Sequence, residues 1–548
     1  MEIALDSAIP TYGGGLGVLA GDTLRAAADL RIPMVGVTLA HRLGYVKQAL
    51  DHDGGQTEAR AAWSPETACA ALDARVTVEV ERRPVTLRAW RYDLESNGRR
   101  VPVLLLDADL PENAPEDRTL TDQLYGGDRR YRLAQEIILG IGGVRMLRAL
   151  GCAELERFHM NEGHAALLSL ALLDEQERVT GGGIGADDVE QVRKLCVFTT
   201  HTPVPAGHDQ FPLDLVARVL GRPEIEQRKD LFCYQGVLNM TYLALNLSHY
   251  VNGVAKRHAQ VSQHMFASHR IDAITNGIHV ATWATPAFQA LFDSHIPGWR
   301  EDYLSLRYAL NIPRRDVWSA HVAAKQALAE RIRAASGVEL ELNRFTLGFA
   351  RRATPYKRFA LLLSDIARLQ RMAREVGALQ IVYAGKAHPQ DEPGKQMIRD
   401  VVGRLRELGK DVTGVYLPDH DMQLGKLMVS GVDLWLNTPE PPLEASGTSG
   451  MKAAANGVPS LSVLDGWWLE GHVEGVTGWA IGHRGNGVPR VTSDAEELYQ
   501  QLERVILPLY YRRPDEYVDV MRHAISLTGS FFNTHRMLQQ YLALAYFL

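Results

Sequence analysis

The sequence predicts a mixed α/β protein made of two doubly wound, Rossmann-like domains that face a cleft. Three observations predict it. Short β-branched runs alternate with amphipathic stretches along much of the chain, the pattern of mainly parallel sheets covered by helices. The alternation restarts in the second half, after a stretch rich in turn residues and aromatics. The length of 548 residues, 46% of them hydrophobic and 23% charged, suits two cores better than one large sheet with insertions.

In chain order, "IPMVGVTLAH" (32–41) reads as a strand, and "RRPVTLRAWRYDL" (82–94) with "RRVPVLLLDADL" (99–110) as a hairpin-like insertion. Residues 128–150 have helical periodicity. "KLCVFTTH" (194–201) is a buried strand that opens into a proline-rich loop. Beyond the turn-rich segment 275–299, "RFTLGFARR" is a strand, "KRFALLLSDIARLQRMARE" a helix, "LQIVYAGKAH" a strand and "KQMIRDVVGRLRELG" a helix. The boundary is expected near residue 290, giving domains 1–290 and 291–548, with the last helix packing back on the first. Ligands in such folds sit beyond the carboxyl ends of the strands.

A formal charge of −6 gives no footprint for nucleic acid. Cys69, Cys152, Cys196 and Cys233 lack metal-ligand spacing and read as buried thiols of a reducing cytoplasm, with no metal expected. No apolar run reaches membrane-spanning length, and the first residues show no cationic-then-apolar export pattern.

Four stretches offer chemistry. "TYGGGLGVLAGD" (11–22) places Gly14 and Gly15 before an apolar helix, where backbone N–H groups approach anions, although a tight turn explains it equally. Gly15, Gly17 and Ala20 match the dinucleotide pattern, but the acidic residue about twenty positions on is missing, which disfavours nicotinamide. "FARRATPYKRF" (349–359) crowds Arg351, Arg352, Lys357 and Arg358 behind a strand, a phosphate site or a solvated loop. His201 ends a strand at a loop, while Asn161 and Glu162 in "FHMNEGHAALL" (158–168) read as helix caps. His159 and His164 are wrongly spaced for zinc. In "EASGTSGMKAAANG" (444–457), Lys452 stands among alanines, where burial lowers an amine's pKa and makes it a nucleophile for a carbonyl cofactor. Glu444, Ser446, Gly447 and Thr448 upstream offer hydrogen bonds to a polyhydroxylated ligand.

Taken together, these stretches resemble the α-glucan phosphorylases, the glycogen, starch and maltodextrin enzymes. "YGGGLGVLAGD", "NEGHAALL", "FTTHTPVPAGHDQFP", "ITNGIH", "RRATPYKR", "YAGKAHP" and "EASGTSGMKAAANG" are similar to that family's landmarks. "LDGWWLEG" (464–471) resembles the short bacterial branch, and an N-terminal segment of longer members has no counterpart, which predicts reduced stability and weak activity. The resemblance implies a glycosyltransferase-B type fold. It implies that Lys452 holds pyridoxal 5′-phosphate, and that Arg352 and Lys357, helped by the amides of Gly14, Gly15 and Thr448, neutralise cofactor and substrate phosphates. It further implies that glucose contacts His201, Asn276, Tyr356, Glu444, Ser446 and Gly447.

The activity implied is reversible phosphorolysis of terminal α-1,4-linked glucose from glycogen or maltodextrin by inorganic phosphate, yielding α-glucose 1-phosphate with retention. A cytoplasmic homo-oligomer is expected. Arg351 departs from the lysine of many members, keeping charge but changing fork geometry. The rivals are a sugar-nucleotide-dependent glucan synthase, which lacks the cofactor lysine, and a catalytically weak glucan-binding paralogue.

Overall fold

The computed structural model describes residues 1–181, 183–204, 207–482 and 493–547. The chain divides into two units: Met1–Tyr45 with Arg60–Thr275 and Leu538–Leu548, and Val46–Ala59 with Asn276–Met537. The main crossing lies at Thr275–Asn276, where the sequence reading set it near residue 290. A short segment, Val46–Ala59, joins the second unit because its hairpin, Lys47–Leu50 with Gln56–Ala59, carries two buried glutamines. Gln48 Nε2 donates to the Gly385 carbonyl (2.9 Å), and Gln56 Nε2 donates to that of Ala387 (3.0 Å). These strands are short and polar, so nothing in their hydrophobic pattern announces them.

In the first unit, β1 (Gly36–Leu39) pairs in parallel with β3 (Arg99–Asp107), which pairs antiparallel with β2 (Arg83–Ser96). The expected hairpin is therefore built into the sheet rather than inserted beside it. A separate parallel sheet holds β4 (Phe158–Asn161), β5 (Cys196–Thr199), β6 (Tyr250–Gly253) and β7 (Asp272–Ala273), in the order β7-β6-β5-β4. Leu538–Leu548 belongs to this unit, and Tyr541 Oη accepts from Asn252 Nδ2 at 3.0 Å. Residues 128–150 form two helical pieces, Arg129–Ile137 and Gly143–Ala149, joined by a π turn at Ile138–Gly142. Gly140 lies against the Leu167–Leu168 backbone there, where a Cβ would sit 2.7 Å from Leu168 N.

The second unit is built on a parallel sheet of six strands. In chain order they are β8 (Phe345–Ala350), β9 (Leu379–Ala384), β10 (Val412–Leu417), β11 (Leu434–Asn437), β12 (Ser460–Val463) and β13 (Gly478–Ile481). Their spatial order, β10-β9-β8-β11-β12-β13, reverses direction between β8 and β11, and ligands bind outside the carboxyl ends at such a point. Every residue of β8, β9 and β11 is buried, as expected of strands covered on both faces.

Aspartates start the helices that return the chain. Asp365, Asp391 and Asp421 accept from the backbone N–H groups of Arg368, Gly394 and Leu424 at 2.8–2.9 Å. The helix read from Lys357 onward begins only at Ile366, since Arg358 takes a left-handed backbone (φ 48°) and Asp365 supplies the cap. At the amino ends of the central strands, buried Asp433 accepts from Lys325 Nζ (2.6 Å), Thr346 N (2.7 Å) and His321 Nε2 (2.8 Å), fixing where β8 and β11 begin.

The four cysteines are free. Cys196 is buried, whereas Cys69, Cys152 and Cys233 are half-buried rather than core thiols. Among the described residues, no helix is long and apolar enough to cross a membrane.

Candidate active site

In the second unit, the loops after β8 and β11 bring Arg351, Lys357 and Glu444 together. Arg351 Nη2 donates to Glu444 Oε2 at 2.6 Å, and Lys357 Nζ donates to the same oxygen. The three side chains are at most a tenth exposed. Pro355–Lys357 forms a 3₁₀ turn that swings Lys357 inward, with its ammonium 4.4 Å from the centre of the Tyr356 ring. Arg351 keeps Nη1 buried without an acceptor among the described residues. A small cavity is lined by Arg351, Asn437, Glu444, Ser446, Gly447 and Trp467.

The four cations of this stretch have separate fates. Arg358 turns away and bonds the carbonyls of Thr438 (2.8 Å) and Pro439 (2.8 Å) and the Asp494 carboxylate (2.6 Å), so it ties two loops together. Arg352 is exposed. Sequence alone gave no means of ranking them.

Burial, with Arg351 beside it, lowers the Lys357 pKa to about 7 despite its bond to Glu444. Burial alone would raise the Glu444 pKa, but Arg351 and Lys357 bring it down to about 2. An anion arriving beside Lys357 therefore draws a proton onto the amine. At pH 8, binding of an oxyanion beside Lys357 should take up a substantial fraction of one proton, roughly 0.5–1. Titration calorimetry with inorganic phosphate in two buffers of different protonation enthalpy measures this, and binding with no buffer dependence would mean that Lys357 does not face the anion.

Gly447 takes φ +77°, and Thr448 precedes the helix Ser449–Ala455 that carries Lys452. Lys452 is buried with Ala453–Ala455, its amine 3.7 Å from the centre of the Trp283 ring. Glu444 N donates to Asp465 Oδ2 (2.9 Å), and Trp467 N to the Ser446 carbonyl (3.0 Å), so the turn after β12 holds this loop. Asn276 is buried, and its Oδ1 has no donor among the described residues.

In the first unit, the amides of Gly13 and Gly14 donate to the buried Glu2 carboxylate, whose other oxygen accepts from Tyr125 Oη at 2.9 Å. The Gly14 N–H expected on a phosphate is thus engaged by a carboxylate. Space remains above the loop: a Cβ on Gly14 or Gly15 would meet nothing within 4 Å.

His201 follows β5, and its Nε2 lies 2.6 Å from Asn161 Oδ1 at the end of β4. Burial lowers its pKa to about 3, so the ring is neutral. Asn161 thus holds His201 rather than capping a helix. Glu162 accepts from Gly163 N at 3.2 Å, but also from His201 N (2.7 Å) and Thr202 Oγ1 (2.9 Å), links between strand ends that local sequence could not show. His164 bonds Arg132 Nη2 and Asp209. Pro205 and Ala206 of the "FTTHTPVPAGHDQFP" stretch lie outside the described residues.

A family model described as carbohydrate phosphorylase matches residues 226–501. A maltodextrin phosphorylase from Thermococcus litoralis is 38% identical over 585 residues, covering 99% of this chain and 69% of its own length. The chain belongs to the carbohydrate phosphorylase family. Other phosphorylases agree: glycogen phosphorylases from Mycobacterium tuberculosis and Aquifex aeolicus are 36% and 34% identical. Each alignment covers 99% of this chain, with 69% of the first relative and 84% of the second. The carbohydrate phosphorylase match includes the loops after β8 and β11 and the Lys452 helix.

Proposed function

We propose that this protein catalyses reversible phosphorolysis of α-glucans, in which inorganic phosphate removes terminal α-1,4-linked glucose from glycogen or maltodextrin. The product is α-glucose 1-phosphate with retained configuration. The observation that carries this reading is a buried lysine, Lys452, following a loop whose Glu444 is held by Arg351 and Lys357. Such cations bind an oxyanion strongly where water is scarce.

The residues fit pyridoxal 5′-phosphate. Lys452 offers a buried amine against an aromatic face, and Arg351 has an unpaired buried N–H group among the described residues. When bound, the cofactor supplies a second phosphate that exchanges a proton with the substrate phosphate. Arg352 and Lys357 neutralise the adjoining anions, with the amide of Thr448 as a further donor. Without such charge, two phosphates a few ångströms apart repel strongly.

In the second unit, Asn276, Tyr356, Glu444 and Ser446 meet glucose hydroxyls, with Gly447 allowing close approach; in the first unit, His201 is a sugar contact. The His201 Nδ1 lone pair accepts, because Nε2–H is given to Asn161. The buried Asn276 Oδ1 lacks a donor among the described residues and accepts likewise. The positive charge developing on the sugar is met by the bound phosphate, so no side-chain nucleophile is needed.

We read the protein as cytoplasmic and homo-oligomeric. Incubation with a ladder of maltooligosaccharides and phosphate should release glucose 1-phosphate. Elongation of glucan from a sugar nucleotide would favour the synthase instead, and binding without turnover the silent paralogue.

A further inference from the structure

We infer that Glu162 is a positioning residue for His201. This rests on the reading of His201 as a sugar contact. Glu162 has φ 71° and ψ 172°, a conformation that belongs almost entirely to glycine. It is nevertheless a long, charged residue, with only 5% of its surface exposed. A glycine there would relieve the backbone, so the strain persists for what the side chain does.

What it does is specific. β4 and β5 are parallel neighbours with Asn161 opposite Thr199, and both strands end there. Glu162 N continues the pairing by donating to the Thr199 carbonyl at 3.0 Å. The unusual backbone then returns the carboxylate toward the loop that leaves β5. Oε2 accepts from His201 N and Thr202 Oγ1, while Oε1 accepts from Gly163 N. Asn161 fixes the imidazole ring and Glu162 fixes the backbone that carries it. A carboxylate suits the task, since it accepts from three donors and offers none in return.

The consequence is a defined place and tautomer for one imidazole. With Nε2–H committed to Asn161, Nδ1 is the acceptor, and its direction depends on the His201 backbone. Loosening that backbone should weaken binding of the sugar while leaving the phosphate site of the second unit untouched.

The test compares Glu162→Gly, Glu162→Gln, His201→Ala and the double variant Glu162→Gly/His201→Ala in the full chain. KM for maltodextrin and for inorganic phosphate are measured separately. Glu162→Gly accepts the backbone angle and deletes the side chain with its carboxylate. It should raise the maltodextrin KM roughly tenfold to a hundredfold, the range of hydrogen bonds to charged groups, and leave the phosphate KM within about twofold. Glu162→Gln should recover part of the loss, since its oxygen can still accept from His201 N and Thr202 Oγ1. The double variant should be no worse than His201→Ala, because residues acting through one contact are not additive.

A normal maltodextrin KM in Glu162→Gly, or multiplied effects in the double variant, would overturn the inference while leaving the sugar role of His201 standing. A normal maltodextrin KM in His201→Ala would instead remove that sugar role, and the inference with it.

Discussion

Glu444→Gln should destabilise the second unit and depress phosphorolysis together. Glu444 is the shared anion of Arg351 and Lys357, all three at most a tenth exposed. A neutral amide in its place leaves the buried Arg351 guanidinium without its counter-charge and lowers the Lys357 pKa further, so that amine sheds its proton. Breaking a buried pair in this way costs about 3–5 kcal/mol, larger than the loss of one sugar hydrogen bond. The change should appear as a lower urea midpoint with an unchanged slope.

The effect has a pH signature. The folded Glu444 pKa lies below its ordinary value near 4.5, so its stabilisation is fully present above that pH and is lost as pH falls toward about 2. The gap between parent and variant should therefore narrow as pH falls through that window. Equal stability of the two at pH 7 would mean that the triad contributes nothing to folding.

Lys357→Ala should act on turnover more than on stability. Glu444 would retain Arg351, so no buried charge is left unpaired, but the incoming phosphate would lose a cation at close range. Loss of one such contact in a water-poor site costs about 3 kcal/mol, on the order of a hundredfold in rate. Measured phosphorolysis should fall by that order, with the maltodextrin KM little changed. Wild-type rates would show that Lys357 has no part in turnover. The Lys357 amine, with a folded pKa near 7, binds fewer protons than the unfolded chain between pH 7 and its ordinary value near 10.5, so its contribution to stability rises with pH across that window.

Much of the second unit was legible in the sequence. β8 and β9 are largely apolar runs, interrupted by Thr346 and Gln380, and read as strands, whereas the aspartates that start the following helices, Asp365 and Asp391, were not singled out. The hairpin Lys47–Leu50 with Gln56–Ala59 was not legible, because side-chain amides rather than apolar faces bind it to its unit. Lys452 was legible as a buried amine because its neighbours are alanines.

The different fates of Arg351, Arg352, Lys357 and Arg358 were not, since four cations in one loop look alike until the backbone turns at Arg358. Glu444 looked like a sugar contact and proved to be first the partner of two cations. Glu162 reads as a cap and does cap Gly163–Ala165, but its strained angle and its bonds to His201 N and Thr202 Oγ1 leave no mark on residue identity. Links of this kind join residues far apart in the chain, and local pattern carries no information about them.

The proposed chemistry turns on one amine. Purified protein should be reduced with borohydride, digested and mapped for a pyridoxyl-modified peptide. A single label on Lys452 is the result predicted by its burial against Trp283 and by the loop that precedes it. A label on another lysine, or active protein carrying no pyridoxal phosphate, would contradict the account.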